Sequence, residues 1–148
     1  MKKIILILIL TTFSSCYFGA NEYSGKITRD FYLIAWDQQF WQISRSNNSS
    51  EFNTENIIIR HDVFGIGHNK NFIIAIQHPC DGEQPHLTDY LDDYKVNKEI
   101  TNYYIIELLK NDKYRINKFD SKTKYLKARI ELGVPEDLEY TFYKETLE

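Results

Sequence analysis

Cysteine is almost absent from this 148-residue chain, which has only Cys16 and Cys80. A fold stapled by disulfides needs a dense, even set of cysteines, so that framework is excluded. No apolar run reaches the roughly 20 residues that a membrane-crossing helix needs. The longest run, residues 4–10, has seven. An excess of positive charge is missing as well: 18 Lys and Arg face 21 Asp and Glu, for a net charge of −3. Phosphate binding needs clustered cations, so neither nucleic acid nor a surface of anionic headgroups is an expected partner. The Lys-rich stretch from Lys110 to Lys127 is interrupted by acids and tyrosines and reads as a solvated face. No HExxH, CxxC or HxH spacing, no G-x-S-x-G elbow and no Gly-rich phosphate loop occurs, so no catalytic residue and no cofactor is nominated. Asp92 and Asp93 are adjacent acids on a polar loop, where solvation is the ordinary fate. Repeats and Gly-rich or Pro-rich linkers are absent too, which leaves one domain.

What is present begins at the N-terminus. Lys2 and Lys3 precede the apolar run at 4–10, and Thr11-Thr12-Phe13-Ser14-Ser15 leads to Cys16. A positive flank, a short apolar stretch and small residues describe a cleaved export signal. The cysteine that closes it resembles a lipobox, with Phe13 where leucine is the commoner residue. The resemblance implies acylation of Cys16 and cleavage before it, which makes residues 1–15 a lipoprotein signal peptide. Residues 16–23 are then a short tether and residues 24–148 one globular domain. Two or more acyl chains of the palmitate kind make such an anchor effectively permanent, at about 0.8 kcal/mol per buried methylene. The tether reaches about 28 Å at most, so the domain is expected to sit close to its membrane, facing the periplasm or the exterior. Tyr17 follows the cysteine, and in a Gram-negative cell the absence of aspartate there favours the outer membrane. A thioether at Cys16 leaves Cys80 as a thiol.

Eleven Tyr and nine Phe, with many isoleucines, favour strands. Residues 27–36 read as one strand, turned by Asp37-Gln38 into a second that ends near Ser46. Residues 45–55 are polar and rich in Asn and Ser, as a loop is. Residues 57–61 form a third strand continuing irregularly to Gly67. His68-Asn69-Lys70-Asn71 makes a hairpin through asparagines that tolerate positive φ, and Pro79 ends the strand that follows. A second hairpin runs through Asn111-Asp112. Residues 80–101 are an acidic surface excursion with a short helix expected from Thr88 to Lys95. Ser121 caps a helix to Leu132, with Tyr125, Leu126, Arg129 and Ile130 at helical spacing and Gly133 as its C-terminal stop. Residues 138–143 alternate as a last strand. The fold class is mainly β: an antiparallel meander or small sandwich with one C-terminal helix.

Several stretches are similar to a family of small bacterial lipoproteins catalogued as domain of unknown function 3997. They are Phe31-Tyr32-Leu33-Ile34-Ala35, the run from Val63 to Pro79, Asn102-Tyr103-Tyr104-Ile105-Ile106, and Glu131-Leu132-Gly133-Val134-Pro135. The resemblance implies an envelope lipoprotein and brings no catalytic residues with it. The excursion at 80–101 is longer than the family's connection there.

Two sets of side chains invite function. Trp36, Phe40 and Trp41 surround the first hairpin, and aromatics in such places anchor partners or sugar rings. His68, His78 and Cys80 are zinc-compatible ligand types, brought together if His68 and His78 meet at one end of their hairpin. The leading expectation is a non-catalytic accessory module, held to a membrane through Cys16 and binding a protein or wall component. The alternatives are a metal-binding or hydrolytic envelope protein centred on His68, His78 and Cys80, and an inhibitor or immunity lipoprotein.

Overall fold

A computed structural model of the chain describes residues 23–36, 39–46, 56–81 and 95–143. The expected signal peptide, the expected tether with Cys16 up to residue 22, residues 47–55 of the loop expected at 45–55 and most of the acidic excursion lie outside the described residues. Among those described, strands β1 (Tyr23–Thr28), β2 (Phe31–Trp36), β3 (Gln39–Arg45) and β4 (Ile57–Ile59) form one antiparallel sheet in that order. A second antiparallel sheet holds β5 (Val63–His68), β6 (Phe72–Gln77), β9 (Asn102–Leu108), β10 (Tyr114–Phe119) and β11 (Thr141–Phe142), in the order β10-β9-β6-β5-β11. A two-stranded ribbon pairs β7 (Cys80–Asp81) with β8 (Lys95–Val96). Helix α1 (Lys122–Leu132) covers the outer face of the five-stranded sheet. The chain is therefore mainly β, two antiparallel sheets with a C-terminal helix, as its sequence predicts.

Side-chain alternation explains the layering. Phe31, Leu33, Ala35, Trp41 and Ile43 of the first sheet face Ile66, Ile73, Ala75, Tyr104, Ile106 and Leu108 of the second across one apolar core. Ile74 and Ile105 point the other way, against Tyr125 and Ala128 of α1 and against Val134 and Leu138. β6 and β9 are thus buried on both faces, which is why they read as unbroken apolar runs. Each such isoleucine contributes about 1.5–3 kcal/mol by leaving water.

The hairpins sit where turn chemistry placed them, with one change of mechanism. Asn111 and Asp112 take φ of 58° and 54° between β9 and β10. At 69–71 the asparagine side chain makes the turn instead: Asn69 Oδ1 accepts from the backbone N–H of Asn71 at 2.8 Å and of Phe72 at 2.9 Å. The expected strand at 27–36 is two strands. Arg29 adopts φ of 50°, and its guanidinium donates to the carbonyls of Leu109 (2.6 Å), Leu108 (3.3 Å) and Lys70 (3.3 Å). Those contacts pull the β1–β2 turn onto the turns of the opposite sheet. β4 and β5 are likewise separate, because residues 60–62 carry the chain from one sheet to the other. Lys95, the expected end of a short helix, pairs with Asp81 in the ribbon. Ser121 precedes α1 in an extended conformation and makes no side-chain cap bond; its carbonyl instead accepts from Tyr125 N–H at 3.0 Å. Gly133, at φ 69° and ψ 31°, ends the helix as expected.

The C-terminal strand is shorter than its alternation suggests. The chain from Pro135 to Tyr140 is held by Arg129, which donates to the carbonyls of Pro135 (2.6 Å) and Leu138 (3.0 Å). It then crosses β5 at its two glycines. A Cβ on Gly67 would stand 2.1 Å from the carbonyl oxygen of Glu139, so only glycine leaves room for that backbone. Pairing begins at Thr141, opposite Ile66.

Candidate functional site

The ladder between β5 and β6 slips by one residue at Phe64, between the pairs Val63–Gln77 and Gly65–Ile76. A bulge re-aims the extra side chain, and here it sets the Phe64 ring on the outer face. The His78 ring stacks on it, with centroids 4.2 Å apart and planes 13° apart. Phe142 of the edge strand β11 lies on Phe64 at 6.5 Å and 27°. Tyr140 continues the series at 6.2 Å from Phe142 and reaches Tyr125 of α1, where the two hydroxyls meet at 2.6 Å. Tyr103 and Phe119 close on Tyr125 at 5.2 and 6.2 Å. A chain of aromatic rings therefore runs from the buried underside of α1 to the open edge of the sheet.

Exposure is greatest in the middle of the series, at the sheet edge. Tyr125 is 2% exposed and Phe142 is 48% exposed, with Phe64 and His78 half-buried. Burial pushes the Tyr140 hydroxyl far above the ordinary phenol range, reinforced by its bond to Tyr125. At the far end of the series, past β6, His78 Nδ1–H donates to the carbonyl of Ile100 at 2.8 Å. A carbonyl only accepts, so this bond fixes the proton on Nδ1 and leaves Nε2 as the acceptor of the neutral ring. Ile100, 46% exposed, adds an apolar border.

On the inner side of β6 lies a polar knot. Gln77 Oε1 accepts from Tyr104 Oη at 2.8 Å and from Asn102 Nδ2 at 3.2 Å. Gln77 Nε2 donates to the carbonyls of Arg60 and His61, both at 2.7 Å. All four hydrogen-bonding positions of the Gln77 amide are engaged, which fastens the crossing at 60–62 to β6. Burial pushes the Tyr104 hydroxyl up to about 12.

The residues nominated from sequence are distributed differently from expectation. His68 closes β5 at the hairpin turn, paired with Ile73, whereas His78 lies beyond the opposite end of β6. Five residues at about 3.3 Å separate those levels, roughly 17 Å, too far to share an ion. The expected approach of His68 to His78 is therefore wrong, because the turn falls beside one histidine and the strand's length separates the other. Cys80 is half-buried in β7, two residues past His78. Among the described residues no three His, Cys, Asp or Glu side chains are grouped to hold a metal. Trp41 is 7% exposed in the core, its ring 5.5 Å from that of Tyr143, so it anchors the fold and not a partner. The strands place Trp36 and Phe40, but their side chains lie outside the described residues, as does Cys16. The ring series itself was missed in sequence, since Phe64, His78 and Phe142 are far apart along the chain. The available signal was Gly65-Ile66-Gly67, a strand interior stripped of side chains on one face for another segment to cross.

Fold and site together describe a two-sheet antiparallel protein with a stacked aromatic edge. More particularly, the chain belongs to the family described as protein of unknown function (DUF3997), which matches residues 28–145. No curated protein and no solved structure matches the chain.

Proposed function

We propose that this is a non-catalytic binding module of the bacterial cell envelope, tethered to a membrane through an acylated Cys16, with the β5–β11 edge as its contact surface. The single observation that carries the binding role is the half-exposed series of Phe142, Phe64 and His78. Stacked rings are stiff, large contact surfaces that lose little conformational entropy on association. The rest of the fold supports their pose: the bulge at Phe64, the glycines under β11 and the bond from His78 to Ile100 all hold the rings before a partner arrives. The partner is a protein or wall component presenting an apolar or ring surface.

A photo-crosslinking residue placed at 142 in intact cells tests this, with the same residue at Lys113 on the far edge as control. A single species captured from position 142 and lost on Phe64→Ser is expected. Equal capture from both positions would remove the aromatic edge as the contact. Metabolic labelling with a tagged fatty acid, compared with Cys16→Ser, tests the anchor separately.

A further inference from the structure

Two apolar residues of α1 face water. Leu126 and Ile130, one turn apart, are 46% and 81% exposed, although their spacing suggested a core stripe; Tyr125 and Ala128 take that role. Lys122 and Lys127 flank them and Lys124 lies farther round the helix, all exposed. The first turn of α1 contains no acid but holds Lys122 and Lys124, where the helix dipole favours anions. Leaving Ile130 in water and setting two lysines against the dipole both work against local stability, and such conflicts concentrate at functional surfaces.

Charge segregates to the same place. Residues 110–130 hold eight of the 18 basic side chains and two acids, a net +6, which leaves −9 for the rest of the −3 chain. β10 does not extend that face: Ile116 and Lys118 pair with Ile106 and Tyr104 on the side of the sheet away from α1, and Arg115, on the α1 side, approaches Glu107 at 3.6 Å. Asp120 bonds Lys124 at 2.8 Å and Glu131 approaches Lys127 at 3.6 Å, but pairs this exposed neutralise little. Glu136, Asp137 and Glu139 lie past the C-terminal end of the helix.

We propose that the exposed face of α1 rests on an anionic bilayer, with Leu126 and Ile130 at the headgroup boundary and the lysines on lipid phosphates. The proposal deepens the tethered-module reading and rests on it for the nearness of a membrane, while its surface chemistry stands on α1 alone. Helices with apolar side chains set among lysines lie in the interface plane in this manner, and each basic residue near an anionic surface strengthens contact about fivefold.

The test uses the full chain with Cys16→Ser, Cys80→Ser and Thr123→Cys, the last carrying an environment-sensitive dye. It is mixed with phosphatidylcholine vesicles, with or without about one third phosphatidylglycerol. Blue-shifted emission quenched by brominated lipid is expected on the anionic vesicles alone. In about 1 M salt, where the screening length is about 3 Å, the shift should vanish. Lys122→Glu with Lys124→Glu and Lys127→Glu should weaken the contact about a hundredfold, and Leu126→Ser with Ile130→Ser should abolish the shift. All five side chains are exposed, so circular dichroism should stay unchanged. Equal emission on both vesicle types, or indifference to either set of substitutions, overturns the proposal. Because the dye reports the face and not capture, and acyl labelling reports Cys16, failure of one reading does not pass for failure of the other.

Discussion

Gly67→Ala tests whether the aromatic edge depends on the glycines of β5. The new Cβ would stand 2.1 Å from Glu139 O, 3.0 Å from Glu139 C and 3.0 Å from Ile74 Cγ1. The first two atoms are backbone, so relief requires moving the chain by roughly 1 Å, a distortion of the kind that costs about 1–3 kcal/mol in a packed core. The alternative is to detach the crossing segment. That exposes Leu138, now 9% exposed, at about 2 kcal/mol, and breaks the Tyr140–Tyr125 bond and the short β11 ladder, at about 1 kcal/mol net. The cheaper route decides, so the expected loss is about 2–3 kcal/mol. Gly65→Ala meets only the Ile76 side chain, at 2.8 and 2.9 Å, and Phe142 Cε1 at 3.3 Å; an isoleucine tip can turn, and the loss should be about 1 kcal/mol. Denaturant unfolding of the three chains gives the ranking if the slopes agree, and hydrogen exchange shows whether 139–143 opens first. Gly67→Ala within about 0.5 kcal/mol of the parent would refute the close-approach argument.

Gln77→Leu should cost about 3 kcal/mol or more in the same unfolding assay, because it strands the Tyr104 hydroxyl, the Asn102 amide and two carbonyls in a dry interior; a loss below about 1 kcal/mol would mean that water already serves these groups. Arg29→Ala should cost about 1–2 kcal/mol by removing three bonds between the sheets while keeping positive φ, and Arg29→Gly should cost less; equal losses would show that backbone strain is irrelevant there. Tyr104 is held up at about 12 and Tyr140 higher, whereas an unfolded tyrosine ionises near about 10. Both folded values are raised, so their contribution is complete below about pH 10 and lost as pH climbs toward about 12; a denaturation midpoint unchanged between about pH 9 and 11 would contradict the burial of these hydroxyls.

How much of this was legible follows from where each determinant sits. The turn at Asn111-Asp112, the stop at Pro79 and the Gly133 terminus are written in neighbouring residues, and local pattern finds them. The turn at Arg29 is not: an arginine at positive φ is held by carbonyls of Lys70, Leu108 and Leu109 in another sheet. The same holds for the short β11, whose limit is set by how Glu139 crosses Gly67. Helical spacing located α1 but not its inward face, because Leu126 and Tyr125 are both apolar and only the sheet decides between them. The pairing of His68 with His78 failed on strand length, a quantity the sequence does contain once the turn at 69–71 is placed.

A five-stranded sheet has two edges, and each presents unpaired backbone groups that invite indiscriminate pairing. β6 and β9 are apolar on both faces and take the centre, which leaves β10 and β11 outside. β10 is protected by charge, with Arg115 and Lys118 exposed along it, and β11 by brevity, since it pairs through only Thr141 and Phe142. A two-residue strand leaves β5 covered mainly by rings rather than by more backbone. Protection of the edges thus gives the sheet opposite chemistries at its two sides, charge along β10 and rings along β5 and β11.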